Sequence, residues 1–154
     1  MLNPWAAATC PAGYVEHDLF PDDGEPIRVA DVHGAWIRDL ATAYDIAWAS
    51  GWGADCEVLA RLLDLPAYPH VEFPPVPFQP ADKVPAIAAF AGGRPCAWAD
   101  DQHTPEAWTW ALSRQAPTLL LPVDAAVGLT VENVAQLRAW AEHGVPPAHG
   151  SNEP

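Results

Sequence analysis

Between Pro117 and Asp124 the chain reads Thr118-Leu119-Leu120-Leu121-Pro122-Val123, six residues without a charge. Unbroken apolar character, rather than alternation, marks a strand covered on both faces, as in a parallel sheet flanked by helices. The neighbouring segments read that way too. Thr104-Pro105 is a helix start, an N-cap followed by Pro at the first helical position, and the pattern runs to about Gln115. Beyond the strand, Thr130 caps a helix carrying Val131, Val134, Leu137 and Trp140. Upstream, Trp36, Ile37, Leu40 and Ala41 give a helix within His33–Tyr44. Ile46–Ala49 is a short buried strand ended by Ser50-Gly51. Val58, Leu59, Leu62 and Leu63 share one face of a second helix that stops before Pro66. Val71–Phe73 reads as a strand and 74–80 as a Pro-rich loop unable to pair. Lys83–Phe90 is helical up to Gly92-Gly93, and Cys96–Ala99 is a strand running into Asp100-Asp101. Strands alternating with helices define an α/β protein with a mostly parallel sheet.

The first thirty residues are irregular apart from runs at Gly13–Leu19 and Ile27–Val29, a hairpin about the Pro21-Asp22-Asp23-Gly24 turn. Residues 145–154, all Pro, Gly and polar apart from Val145 and Ala148, are expected to be a disordered tail to a single domain. No apolar run approaches the ~18 residues of a membrane span, and no basic region precedes an apolar stretch at the N-terminus. A net charge of −13 disfavours nucleic acid and anionic membranes, although one phosphate group could still find a local site. Cys10, Cys56 and Cys96 are widely spaced, so reduced thiols in a cytoplasmic protein are expected.

In open α/β sheets ligands bind beyond the carboxyl ends of the strands. That rule selects Ser50, Asp100, Asp101 and Asp124. Adjacent carboxylates at a strand end suit Mg²⁺, which takes one or two of them and fills its octahedron with water and phosphate oxygens. Equally, Asp100 or Asp101 could cap the helix beginning near Thr104. Ser50-Gly51 could offer a hydroxyl and a backbone N–H to a phosphate oxygen, or form an ordinary turn. Lys83, the only lysine, could neutralise a phosphoryl group or merely be solvated. His103 alone of six histidines falls near this edge, and none shows ligand spacing. No G-x-S-x-G, Walker A or dinucleotide-binding glycine pattern occurs.

Taken in order, several segments resemble the haloacid dehalogenase superfamily, in particular its small actinobacterial members. They are His33-Gly34-Ala35-Trp36-Ile37, Ile46-Ala47-Trp48-Ala49-Ser50-Gly51-Trp52, Val71-Glu72-Phe73, Arg94-Pro95-Cys96-Ala97-Trp98-Ala99-Asp100-Asp101, Pro117–Leu121 and Gly128-Leu129-Thr130. The resemblance covers about residues 1–142. It implies a three-layer Rossmann-like fold, helices on both faces of the sheet, with residues 1–30 as a flap-like hairpin region on a domain spanning 1–144. It also implies a Mg²⁺-dependent phosphatase acting on a phosphorylated small molecule through an aspartyl-phosphate. Ser50 would hold the phosphoryl group, Lys83 would stabilise its charge, and Asp100 and Asp101 would bind the metal.

The superfamily's first motif, Asp-x-Asp closing a central first strand, has no counterpart here. Relatives of this type tend to read Asp-x-Asp-Gly-Val-Leu-Asn-Pro, whereas this chain opens Met1-Leu2-Asn3-Pro4. A GTG valine codon can initiate translation and is then read as Met. The expectation is therefore a start one strand further upstream, with the nucleophile on the omitted strand. The alternative is a catalytically inactive binding protein of the same fold.

Overall fold

A computed structural model describes residues 1–20, 25–75 and 77–143. In chain order these form β1 (Val15–His17), β2 (Ile27–Val29), α1 (Val32–Leu40), α2 (Cys56–Leu62), α3 (Lys83–Ala91), β3 (Cys96–Asp100), α4 (Pro105–Ser113), β4 (Thr118–Pro122) and α5 (Val131–His143). The protein is thus mixed α/β, as the alternation of patterns predicts. The tail expected at 145–154 lies outside the described residues.

β3 and β4 pair in parallel, Cys96 opposite Thr118 through to Asp100 opposite Pro122. Side chains alternate across a strand, and both faces of this pair are packed. Ala97, Ala99, Leu119 and Leu121 face a cluster holding Ile37 and Leu40 of α1, Leu59 of α2, and Val134 and Leu137 of α5. Cys96, Trp98 and Leu120 face the opposite way, onto Val84 and Ile87 of α3 and Ala107 of α4. This double burial explains why the strand sequence shows no polar–apolar alternation.

The strands expected at Ile46–Ala49 and Val71–Phe73 shrink to one parallel bridge, Trp48 with His70. The Trp48 N–H donates to the Pro69 carbonyl and the Val71 N–H to the Trp48 carbonyl, both at 2.8 Å. An earlier rung would need an N–H from residue 69, which proline lacks. A later rung is lost because the chain turns at once, with the Ser50 carbonyl accepting from the Gly53 N–H. Trp48 still packs into the first cluster and Ala49 against the second, so this segment touches the same two clusters as β3.

At the N-terminus β1 and β2 form the expected antiparallel hairpin, with Val15 opposite Val29. Its Pro21–Gly24 turn lies outside the described residues. Arg28 fastens the hairpin to the opening segment through its backbone N–H to Asn3 Oδ1 (3.1 Å) and its guanidinium to the Ala7 carbonyl (2.8 Å).

Helix α1 ends at Leu40, and residues 41–44 continue as turns rather than as the helix expected to Tyr44. The Tyr44 hydroxyl donates to the Leu137 carbonyl of α5 at 2.6 Å, and its ring stacks on Trp140. Burial pushes its phenol up to about 12 from 10.0. A pKa raised in the folded state gives stability that is complete below pH 10 and lost as pH climbs toward 12. Replacing Tyr44 with Phe should lower stability by about 1 kcal/mol at neutral pH. The same variant should lose this part of the alkaline dependence, both readable from urea melts between pH 8 and 12.

Candidate functional site

The carboxyl end of β3 carries a cluster of polar side chains. A turn of 3₁₀ helix, Pro80–Asp82, precedes α3 and is closed by the Gln79 N–H on Asp82 Oδ2 at 2.8 Å. This reciprocal cap sets the register that makes Lys83 the first residue of α3. From there Lys83 Nζ reaches Asp100 Oδ2 at 2.8 Å, with side-chain exposures of 13% and 5%. Asp100 also accepts the Trp98 indole N–H on Oδ2 (3.0 Å) and the Gln102 backbone N–H on Oδ1 (3.0 Å). Burial, the largest single influence, pushes the Asp100 carboxyl up. The Lys83 hydrogen bond and charge, with the Gln102 and Trp98 donors, together pull it below the usual carboxylate range. Asp100 is therefore an ionised, buried carboxylate at neutral pH.

Asp101 is less enclosed and accepts the Trp5 indole N–H on Oδ2 at 2.5 Å. The Met1 amino group is largely buried beside the two aspartates. Burial holds it below the usual amino-terminal range, against the opposing pull of Asp101 and Asp100. The Met1 carbonyl accepts from the Leu129 N–H at 3.0 Å, and Leu2 is buried in the first core cluster. Residues 1–5 thus run past the ends of both β3 and β4.

These residues can be tested against the cation expected from the resemblance. No group of three or more His, Cys, Asp or Glu side chains gathers among the described residues, so no all-protein cage exists there. An ionised carboxylate has about four acceptor positions. Asp100 has three taken and Asp101 one. One further bond to Asp100 and up to three to Asp101 fit Mg²⁺, which is content with two carboxylates and otherwise keeps water or phosphate oxygens.

Ser50 belongs to a different part of the same edge. Its Oγ accepts the Trp52 N–H at 3.3 Å. It lines an open cleft of about 330 Å³ with Gly51, His70, Glu72 and Phe73. No hydrogen bond joins Ser50 to Lys83, Asp100 or Asp101 among the described residues. Asp124 is taken up locally: its Oδ1 accepts the Ala126 N–H at 2.7 Å and its carbonyl accepts from Gly128. His103 packs edge-on against Trp98, ring centres 4.8 Å apart, and both its nitrogens are buried with no partner among the described residues. Burial depresses its pKa, so the ring is neutral at pH 7.

Of the residues the sequence offered, the structure joins Lys83 to Asp100, with Asp101 next in the chain, and bonds Ser50 to none of them among the described residues. Sequence reasoning did not single out Trp98, although residues 98 and 100 lie on one face of a strand by the two-residue period. Trp5 carries no such signal, being 96 positions from its partner. No protein-family model, no characterised protein and no solved structure matches the chain.

Proposed function

We propose that this chain is the greater part of a haloacid dehalogenase-like, Mg²⁺-dependent phosphohydrolase domain acting on phosphorylated small molecules. The observation that carries the reading is the junction of Lys83, Asp100 and Asp101 at the carboxyl end of a parallel strand. A buried ammonium on one carboxylate with a second carboxylate beside it can hold both a hard cation and the phosphoryl oxygens that the cation attracts.

The strand pairing supports a Rossmann-like order with an open centre. Trp48 with His70 forms one parallel half, and β3 with β4 forms the other. A strand between the halves would end beside Asp100, Asp101 and Lys83, where the Met1 amino group sits. A carboxylate nucleophile on such a strand, preceding Leu2, would face the acidic pair.

In this reading Asp100 and Asp101 would hold Mg²⁺, which when bound draws charge from the phosphoryl oxygens. Lys83 sets the position of Asp100 and adds positive charge at the same point. Ser50 and the Gly51 N–H orient the transferring group from the side of the 330 Å³ cleft. As the resemblance implies, the hairpin of β1 and β2 would shield the site from water.

The test compares the chain as given with an N-terminally extended chain carrying Asp-x-Asp-Gly-Val before Leu2, on a chromogenic phosphate ester with Mg²⁺. Activity is expected in the extended chain alone, and Asp100→Ala or Asp101→Ala should reduce it by at least a hundredfold. An inert extended chain would sink the phosphatase reading and favour a binding protein of the same fold.

A further inference from the structure

An exposed tryptophan needs a reason, and Trp5 has 57% of its surface open to solvent. Its backbone, by contrast, lies in a hydrogen-bonded segment. The Trp5 N–H donates to the Asn3 carbonyl at 2.9 Å, Ala6 N–H to Ala125 at 3.1 Å and Ala7 N–H to Pro4 at 3.0 Å. Asn3 and Ala7 are in turn bonded to Arg28 of β2, and Pro4 is fully buried. A rigid strap therefore presents the indole at one fixed place, and the one polar contact made there is with Asp101 Oδ2.

Asp101 needs such a contact because nothing else among the described residues orients it. Asp100 is held by Lys83, Trp98 and Gln102, whereas Trp5 supplies the single donor recorded on Asp101. A half-buried carboxylate without such a bond still samples more than one rotamer and loses that freedom on binding a cation. An N–H on one oxygen leaves the remaining lone pairs aimed in one direction, and such supporting hydrogen bonds carry a measurable share of metal affinity.

We infer that Trp5 is a positioning residue for Asp101, fixing its carboxylate for a divalent cation shared with Asp100. This rests on the cation reading given above, and the measurement separates the two. The dissociation constant for Mg²⁺ alone, without phosphate, would be measured by competition against Mn²⁺ followed by electron paramagnetic resonance. The wild-type chain would be compared with Trp5→Phe, which keeps an apolar ring and removes the N–H. The expected result is affinity about tenfold weaker in Trp5→Phe, with the metal-free melting temperature within about 2 °C of wild type.

Equal affinity in the two chains, with wild type binding, would overturn the role of Trp5 and leave the cation site standing. No binding by wild type would remove the cation site and this inference with it. A weaker affinity accompanied by a large fall in the metal-free melting temperature would show general support of the N-terminal strap, and would also overturn the inference.

Discussion

Lys83→Met should be among the most destabilising single changes in this protein, lowering the unfolding free energy by about 3–5 kcal/mol. Asp100 is 4% exposed and stays behind as an uncompensated buried charge when the ammonium goes. The Trp98 and Gln102 donors remain, which is why the loss is not larger. Asp100→Asn should do less harm, because Lys83 sits at the first position of α3 and can extend toward water. The double variant Lys83→Met/Asp100→Asn should recover about 2 kcal/mol relative to Lys83→Met, the signature of two groups that act as one. Urea melts of the four chains would settle it; a Lys83→Met chain within 1 kcal/mol of wild type would refute the buried-pair account.

The same pair predicts opposite acid responses in a buffer containing a chelator. In the wild type the Asp100 carboxyl is held low, so its contribution is present above about pH 4 and is lost as pH falls through the folded value. Without Lys83, burial is opposed only by two hydrogen bonds and the carboxyl moves upward. The folded state then binds the extra proton, and the variant gains stability as pH falls from 7 toward the unfolded value near 4. Part of the difference between the chains should therefore close on mild acidification.

What was legible in the sequence follows from the range of the forces involved. The β4 segment and the helix starts at Thr104-Pro105 and Thr130 are local matters of burial and backbone conformation and appear where expected, although among the described residues only the Thr130 hydroxyl accepts a cap hydrogen bond. The hairpin of β1 and β2 is equally local. Ile46–Ala49 shows the limit: of its apolar run only Trp48 is buried, the rest being half-buried, and the number of rungs depends on Pro69, some twenty residues away. Nothing in the run itself can report that a partner lacks an N–H.

The site divides in the same way. Asp100 and Asp101 stand out because they end a strand, and Lys83 because it is the chain's single lysine. The meeting of Lys83 with Asp100 at 2.8 Å depends on how α3 packs over Trp98 and Leu120, which no periodicity encodes. Asp124 satisfied the same strand-end rule yet spends its carboxylate on its own turn, since Ala126 presents an N–H two residues on. Asp100 makes the same local bond, to the Gln102 N–H, but Lys83 and Trp98 add two further donors to it. Asp101, which has no N–H of that kind bonded to it, is the one left for Trp5.

Gly34→Ala should be the other severe change, although alanine is the better helix former. Gly34 is buried inside α1, where the backbone passes directly over the end of α2. A Cβ there would lie 2.4 Å from the Leu63 carbonyl oxygen and 3.3 Å from its carbon. Those are backbone atoms, so no side-chain rotation can relieve the contact, and α1 would have to lift away. The lift would also pull Arg38 from the Leu63 and Asp64 carbonyls, to which its guanidinium donates at 3.1 and 2.7 Å. Alanine's gain in helix propensity is about 1 kcal/mol. Overpacking of this kind costs roughly 3 kcal/mol, and losing the two Arg38 bonds adds about 1 kcal/mol for each. The net loss should be about 4 kcal/mol, lowering the melting temperature by roughly 10 °C. Arg38→Ala should add little further loss in a Gly34→Ala background, because both changes open the same junction of α1 and α2. Fully additive losses in that cycle would place the Arg38 contribution elsewhere and refute the shared-junction account.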